Sequence, residues 1–258
     1  MSEKLARRRC YALQKPLVLI PVILFLLVIG APMGMAQEPT TRQEVWPEID
    51  LYIHVKPKVR LYFLGSVSRS VEDGELFSGQ GSEAQVGAHV DYIPSDHVIL
   101  RTGYRYSTAI GNNSEPFREH RLITEQTFRK LLPADVIVSD RNRQDFRFIS
   151  GEDFSFRYRN RVTFEREFHL PKWVPKLLTR RSITPYVTGE ISYDTRFSAW
   201  NRNRMALGFQ QSLRRTLLRK MGLPRRQIIL DVYFMKQNDS RAQTQHLRAL
   251  GLALNYFF

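Results

Sequence analysis

The chain has 258 residues, a formal net charge of +14 and one cysteine, Cys10, so an intrachain disulfide framework is excluded. The basic balance does not indicate nucleic acid, because arginine and lysine are spread along the sequence and alternate with acidic residues instead of forming one patch. The length suits one domain, and no linker or low-complexity tract divides it.

Residues 1–36 have the organisation of a secretory signal peptide. Five basic residues precede an apolar run at 17–29, and Gly34-Met35-Ala36 supplies small residues where a signal peptidase reads the chain. An uncleaved anchor helix is the alternative, but the apolar run is shorter than the roughly 20 residues that a bilayer requires. We therefore expect cleavage before Gln37, which leaves a mature chain with a charge of about +10 and no cysteine.

The mature sequence alternates apolar and polar residues with a period of two, which predicts β-strands. A Lys-Pro-Lys turn separates the first two strands, since proline is disfavoured inside a sheet. In chain order, the alternating runs are 49–56, 59–64, 83–92, 98–107, 119–128, 136–148, 154–165, 186–193, 204–210, 228–234 and 246–258. A glycine-rich loop at 68–82 and two basic connections, at 169–182 and 214–226, interrupt the series.

Eleven runs are visible, whereas bacterial single-chain membrane barrels almost always have an even number of strands. We therefore predict an all-β fold for residues 37–258, an antiparallel up-and-down transmembrane β-barrel. About 12 strands are expected, with ten as the alternative.

Charged residues on one face of the strands favour a membrane barrel over a soluble, lipocalin-like barrel. The opposite faces are aromatic and β-branched, which suits a lipid-facing exterior around a polar lumen. Asp91 and Asp231 are expected on the inner face as well. The predicted lumen charge network consists of Arg101, Arg105, Glu119, Arg121, Glu125, Arg141, Arg143, Asp145, Arg147, Arg157, Arg159, Arg161, Glu165, Glu190 and Arg204.

The last strand ends with alternating apolar residues and a terminal aromatic residue. Leu254, Tyr256 and Phe258 share one face, and this ending is typical of the assembly signal of bacterial outer-membrane barrels. The expected location is thus the bacterial cell outer membrane. The expected partners are outer-membrane lipid and the barrel-assembly machinery, while the oligomeric state stays open.

Several short motifs carry a family resemblance. They are Trp46-Pro47-Glu48, Gly103-Tyr104, Glu119-His120-Arg121, the arginine combs at 141–147 and 157–161, Asn203-Arg204 and Leu207-Gly208. With these motifs, nearly all of the mature chain resembles the bacterial outer-membrane family catalogued as domain of unknown function 2490. The resemblance implies a fold and a compartment, and no activity.

The sequence leaves several roles open. The lumen charges either pair across strands as structural elements or form a narrow, anion-preferring transport path. The alternative is a lipid-modifying barrel enzyme, which needs a serine nucleophile beside a histidine base. No histidine of the mature chain lies beside a serine in such an arrangement, so no catalytic residue, metal site or cofactor is predicted. The two basic connections either contact anionic phospholipid or are solvated turns.

Overall fold

Twelve strands form one sheet in the computed structural model of the chain. The structure describes residues 41–71, 82–110, 117–169, 182–213, 218, 227–240 and 246–258. The strands are β1 (Thr41–Lys56), β2 (Val59–Ser70), β3 (Ser82–Ser95), β4 (Val98–Ile110), β5 (Arg118–Leu132), β6 (Val136–Ile149), β7 (Ser155–Arg166), β8 (Phe168–His169), β9 (Ser182–Asp194), β10 (Ala199–Ser212), β11 (Gln227–Asp239) and β12 (His246–Phe257). No helix within these described ranges is long and apolar enough to cross a bilayer.

The sheet closes on itself as a barrel. Strands adjacent in sequence pair in antiparallel fashion around the wall, and β1 also pairs with β12. The two-residue strand β8 pairs with the start of β9, whereas β7 pairs with the rest of β9. Eleven strands therefore form the closed wall and β8 is an extension at its rim. The predicted fold class, an all-β barrel of about twelve strands, is confirmed.

The closing seam between β1 and β12 is parallel, with Val45 opposite Leu250 and Ile49 opposite Leu254. A purely antiparallel barrel needs an even number of strands, because first and last strands must run in opposite directions. The parallel seam removes that requirement and permits a wall of eleven. The even-number rule that led to twelve therefore does not govern the wall itself.

The two rims of the barrel differ. Tight turns at 57–58 and 96–97 and a 3-10 turn at Pro133–Asp135 share one rim with the end of β12, and β1 begins at the other rim. The strand ends that flank both basic connections lie at the rim with the tight turns. Residues 1–40 and 72–81 and most of the basic connections lie outside the described residues, so the predicted signal peptide is among the segments not described.

Side chains alternate between a polar interior and an apolar exterior. On the outer face, Val86 is 57% exposed, Phe154 58% and Leu252 40%. On the inner face, the carboxylates of Asp91 and Asp145 are completely buried. The wall therefore has the inverse of the polarity expected for a soluble barrel, whose apolar residues point inward.

Tyrosine rings lie over glycines on the inner face near the seam. Tyr186 faces Gly208, and Tyr233 faces Gly251, in adjacent strands. A Cβ on Gly251 would lie 2.0 Å from the ring of Tyr233, so no larger residue fits there without moving the ring. Next to Tyr233, a small apolar cluster is built around Met235. Aromatic and small residues thus occupy part of the interior here, beside the acidic residues Asp50 and Asp231.

The parallel seam can be tested by disulfide cross-linking. Cysteine pairs at Val45/Leu250 and Ile49/Leu254 should oxidise in a Cys10→Ser background, because neighbouring strands lie about 4.8 Å apart. The swapped pairs, Val45/Leu254 and Ile49/Leu250, are offset by four residues, about 13 Å along the strand, and should remain reduced. An antiparallel seam would give the reverse result, which gel mobility under non-reducing conditions would reveal.

Candidate functional site

A cavity of about 1000 Å³ occupies the interior of the barrel. Of the fifteen charged residues predicted for the lumen network, fourteen line this cavity. The remaining one, Asp145, is buried behind the surface of the cavity, where it pairs with Arg143 at 2.6 Å. The structure thus brings the predicted residues together on one continuous inner surface.

Glu190 on β9 binds four arginines. The carboxylate oxygens lie 2.7 Å from Arg159, 2.7 Å from Arg161, 3.2 Å from Arg141 and 3.4 Å from Arg204. Its position explains this number, because Glu190 lies directly opposite Arg161 on one neighbouring strand and Arg204 on the other. With four partners, the buried carboxylate is desolvated but fully compensated.

The ion pairs continue from Glu190 around the wall to β2. Arg141 lies 3.8 Å from Glu125, and Glu125 lies 3.8 Å from Arg101. Arg101 and Arg60 both pair with Asp91, each at 2.6 Å. Successive inward positions on neighbouring strands thus carry opposite charges, so the network follows the register of the sheet.

A second group of ion pairs lies nearer the rim where β1 begins. Asp194 accepts hydrogen bonds from Arg147 at 2.8 Å and from Arg157 at 3.0 Å. Arg147 also pairs with Glu119, which pairs in turn with Arg121. These contacts join β5, β6, β7 and β9 through side chains as well as through the sheet.

Sequence reasoning missed several members of the network. Asp194 falls at the end of β9, beyond the predicted strand, yet it has the same parity as Glu190 and faces inward. Arg202 and Asp239, paired at 2.5 Å, likewise lie at strand ends that the apolar pattern did not reach. If the alternation of inward and outward positions had been extended beyond both ends of each predicted run, all three residues would have been identified.

An aromatic stack crosses the seam and was also not predicted. The ring centroids of Phe257 and Tyr52 lie 4.6 Å apart, those of Tyr52 and Tyr62 4.8 Å, and those of Tyr62 and His89 5.1 Å. Arg101 lies over the Tyr62 ring at 4.0 Å, so the stack is in contact with the charge network. The interior is therefore continuous from the arginine-rich strands to the seam.

The histidines of the described ranges show no nucleophile–base arrangement. His120 shares a 2.6 Å hydrogen bond with the hydroxyl of Tyr104, and His246 shares one with Asn238. Neither hydrogen-bonds a serine. Within the same ranges, no group of three or more histidine, cysteine or acidic residues is arranged to hold a metal ion.

The fold and the interior define a closed β-barrel with a charged inner face. A family model described as a protein of unknown function, DUF2490, matches residues 43–246. The chain therefore belongs to this family, and the resemblance noted in the sequence is confirmed. The comparisons with curated proteins and with solved structures gave no match.

Replacing Glu190 should destabilise the barrel strongly. In Glu190→Gln, four arginines that line the cavity lose their shared, buried carboxylate, and we expect the free energy of unfolding in detergent to fall by about 3–5 kcal/mol. Glu165→Gln is the matched control, since Glu165 faces the same cavity without an ion pair in the described structure, and should change it by less than about 1 kcal/mol. Urea titration monitored by circular dichroism measures both, and equal losses would contradict a central role for Glu190.

Proposed function

We propose that this protein is an integral outer-membrane β-barrel, exported by a cleaved signal peptide at residues 1–36. Its role is that of a structural element or a narrow, anion-preferring transport element. The observation that carries the proposal is the inverted polarity of the wall, with charge inside and large apolar residues outside. Such a wall is stable in the hydrocarbon of a bilayer, because a closed barrel pairs the backbone N–H and C=O groups of every strand and leaves no free strand edge.

The distribution of aromatic residues supports a membrane location. Trp200 and Phe154 near one rim and Phe128 and Phe258 near the other are exposed on the outer face. Aromatic side chains prefer the interfacial regions of a bilayer, and membrane barrels carry girdles of them at both levels. The exposed aromatic residue Phe258, which follows β12, also fits recognition by the barrel-assembly machinery.

A polar group on β6 interrupts the apolar exterior. Asp140, Asn142 and Gln144 face outward near the middle of the strand. Asn160 donates a 2.7 Å hydrogen bond to Asp140, and Thr124 donates one of 2.9 Å to Gln144. These contacts lower the cost of placing the polar groups in hydrocarbon, because a satisfied polar group is less unfavourable there than an unsatisfied one.

The interior supports narrow passage with a preference for anions. Ion pairs hold most of the arginine side chains against the wall, and a cavity of about 1000 Å³ remains between them. Near the seam, where arginines are fewer, Asp50 and Asp231 accept hydrogen bonds from the hydroxyl groups of Tyr62 and Tyr186. The positive groups are thus concentrated on the wall opposite the seam.

The location is tested by fractionation and gel mobility. The native protein should sediment with outer membranes and should migrate faster in detergent gels before heating than after heating, since a folded barrel resists unfolding by detergent. Recovery in the soluble periplasmic fraction would contradict the proposal.

Transport is tested in planar bilayers. The purified protein should conduct weakly, and the reversal potential in a salt gradient should indicate preference for anions. A silent bilayer combined with an altered phospholipid or lipid A profile in a deletion strain would favour a lipid-modifying enzyme instead.

A further inference from the structure

Arg105 differs from the other arginines deep in the cavity. It lies at the centre of β4 and lines the cavity, yet no carboxylate in the described structure lies within ion-pair distance of it. Its one hydrogen bond runs from Nη1 to Oε1 of Gln85 at 3.2 Å, and its Nε has no partner. Arg129 also lines the cavity without pairing with a carboxylate, but it is exposed and lies near the end of β5, at the rim with the tight turns. Arg105 is therefore a half-buried cation without a counter-ion among the described residues.

Other cations surround Arg105. Removal from water disfavours its charged guanidinium most, Arg143 and Arg121 repel it, and the attraction of Asp145 is weaker. Nη2 of Arg143 is also buried without a hydrogen-bond partner. A cluster of desolvated guanidinium groups is unfavourable unless negative charge compensates it.

Neutral donors with no partner complete the same region. His89 is 4% exposed, and neither ring nitrogen has a hydrogen-bond partner in the described structure. The hydroxyl of Ser107, two residues beyond Arg105 on the same inner face, is 1% exposed and equally unpartnered. Oδ2 of Asp145, the carboxylate paired with Arg143, is likewise buried without a hydrogen-bond partner. Buried polar groups in proteins are almost always satisfied, and here the unsatisfied donors outnumber this one unsatisfied acceptor, so a further acceptor fits the region.

Two glycines make room for this arrangement. A Cβ on Gly103 would lie 2.4 Å from Nδ1 of His89, and a Cβ on Gly87 would lie 2.9 Å from Nε2. Glycine at both positions therefore lets the imidazole lie flat against the wall, stacked on Tyr62. The histidine is thus held beside the arginines by the backbone of β3 and β4.

We propose that Arg105, Arg143, Arg121 and His89 form a binding site for a tetrahedral oxyanion, a phosphate or sulfate group. Such a group offers several acceptor oxygens in different directions, which fits a site with guanidinium and neutral donors on several strands. The inference rests on the proposed function in that the site lies in the path of an anion-preferring lumen. The group is either a free inorganic anion or the phosphoryl group of a larger ester.

The test measures binding by the full mature barrel in detergent at constant ionic strength. Inorganic phosphate, sulfate and glucose 1-phosphate are titrated by calorimetry, with chloride as the background anion. Saturable binding of phosphate or sulfate is expected, and Arg105→Gln should weaken it by about ten- to a hundredfold because charged hydrogen bonds are lost. Arg129→Gln removes the same charge from the exposed end of the cavity and should bind as the unaltered protein does.

A second readout separates a binding role from a structural role. Without oxyanion, Arg105→Gln should unfold at the same or a higher temperature than the unaltered protein, because repulsion from Arg143 and Arg121 is relieved. Phosphate should raise the unfolding temperature of the unaltered protein and of Arg129→Gln equally, and should raise that of Arg105→Gln by less at the same concentration.

The binding test and the transport test can fail independently of each other. Absence of saturable oxyanion binding, or unchanged binding in Arg105→Gln, would overturn the site even if the barrel conducts. Oxyanion binding by a barrel that does not conduct would support the site and refute the transport role. Comparing phosphate with glucose 1-phosphate identifies the source: tighter binding of the ester assigns the site to a phosphorylated solute, and binding of phosphate alone assigns it to the free anion.

Discussion

The pairing of buried charges inside a closed wall is the constraint on which this structure depends. One face of nearly every strand from β4 to β10 carries arginine or acid, and removing these groups from bulk water is unfavourable unless each finds a partner. Glu190 and Asp194 meet that requirement by accepting several arginines at once. Because the inward positions are occupied by ion pairs, the apolar residues at the alternate positions of the same strands face outward.

The seam follows a different principle. Here Tyr233 lies over Gly251, and Phe257, Tyr52 and Tyr62 stack across the β12–β1–β2 junction. The parallel pairing of β1 and β12 allows eleven strands to close, and stacked rings then contribute contacts between strands far apart in sequence. One part of the barrel wall is therefore held together by ion pairs between strands, and the part at the seam by stacked aromatic rings.

The period-two pattern was sufficient to predict the fold class and which side chains of each strand face inward, because alternate residues of a strand point to opposite faces. The pattern showed eleven runs, but it could not predict the parallel seam that lets an odd number of strands close, since the pairing of β1 with β12 depends on the register of distant segments. The pattern also predicted that Glu190 faces inward. It could not predict the four arginines that bind Glu190, because these contacts depend on the stagger between neighbouring strands. The polar group around Asn142 on the outer face was also not predicted, because polar residues at outward positions leave the alternation of the charged inner face unchanged.

Spin labels in lipid vesicles can test the inverted polarity of the wall, because they report whether each face meets hydrocarbon or water. In a cysteine-free background, labels at Val86 and Leu252 report on the outer face, and labels at Ser66 and Gln85 report on the cavity. The labels at Val86 and Leu252 should be accessible to oxygen, which partitions into hydrocarbon, and shielded from a water-soluble nickel complex. The labels at Ser66 and Gln85 should be shielded from oxygen. If the nickel complex reached Val86 and Leu252, the outer face would lie in water and the wall would not face lipid.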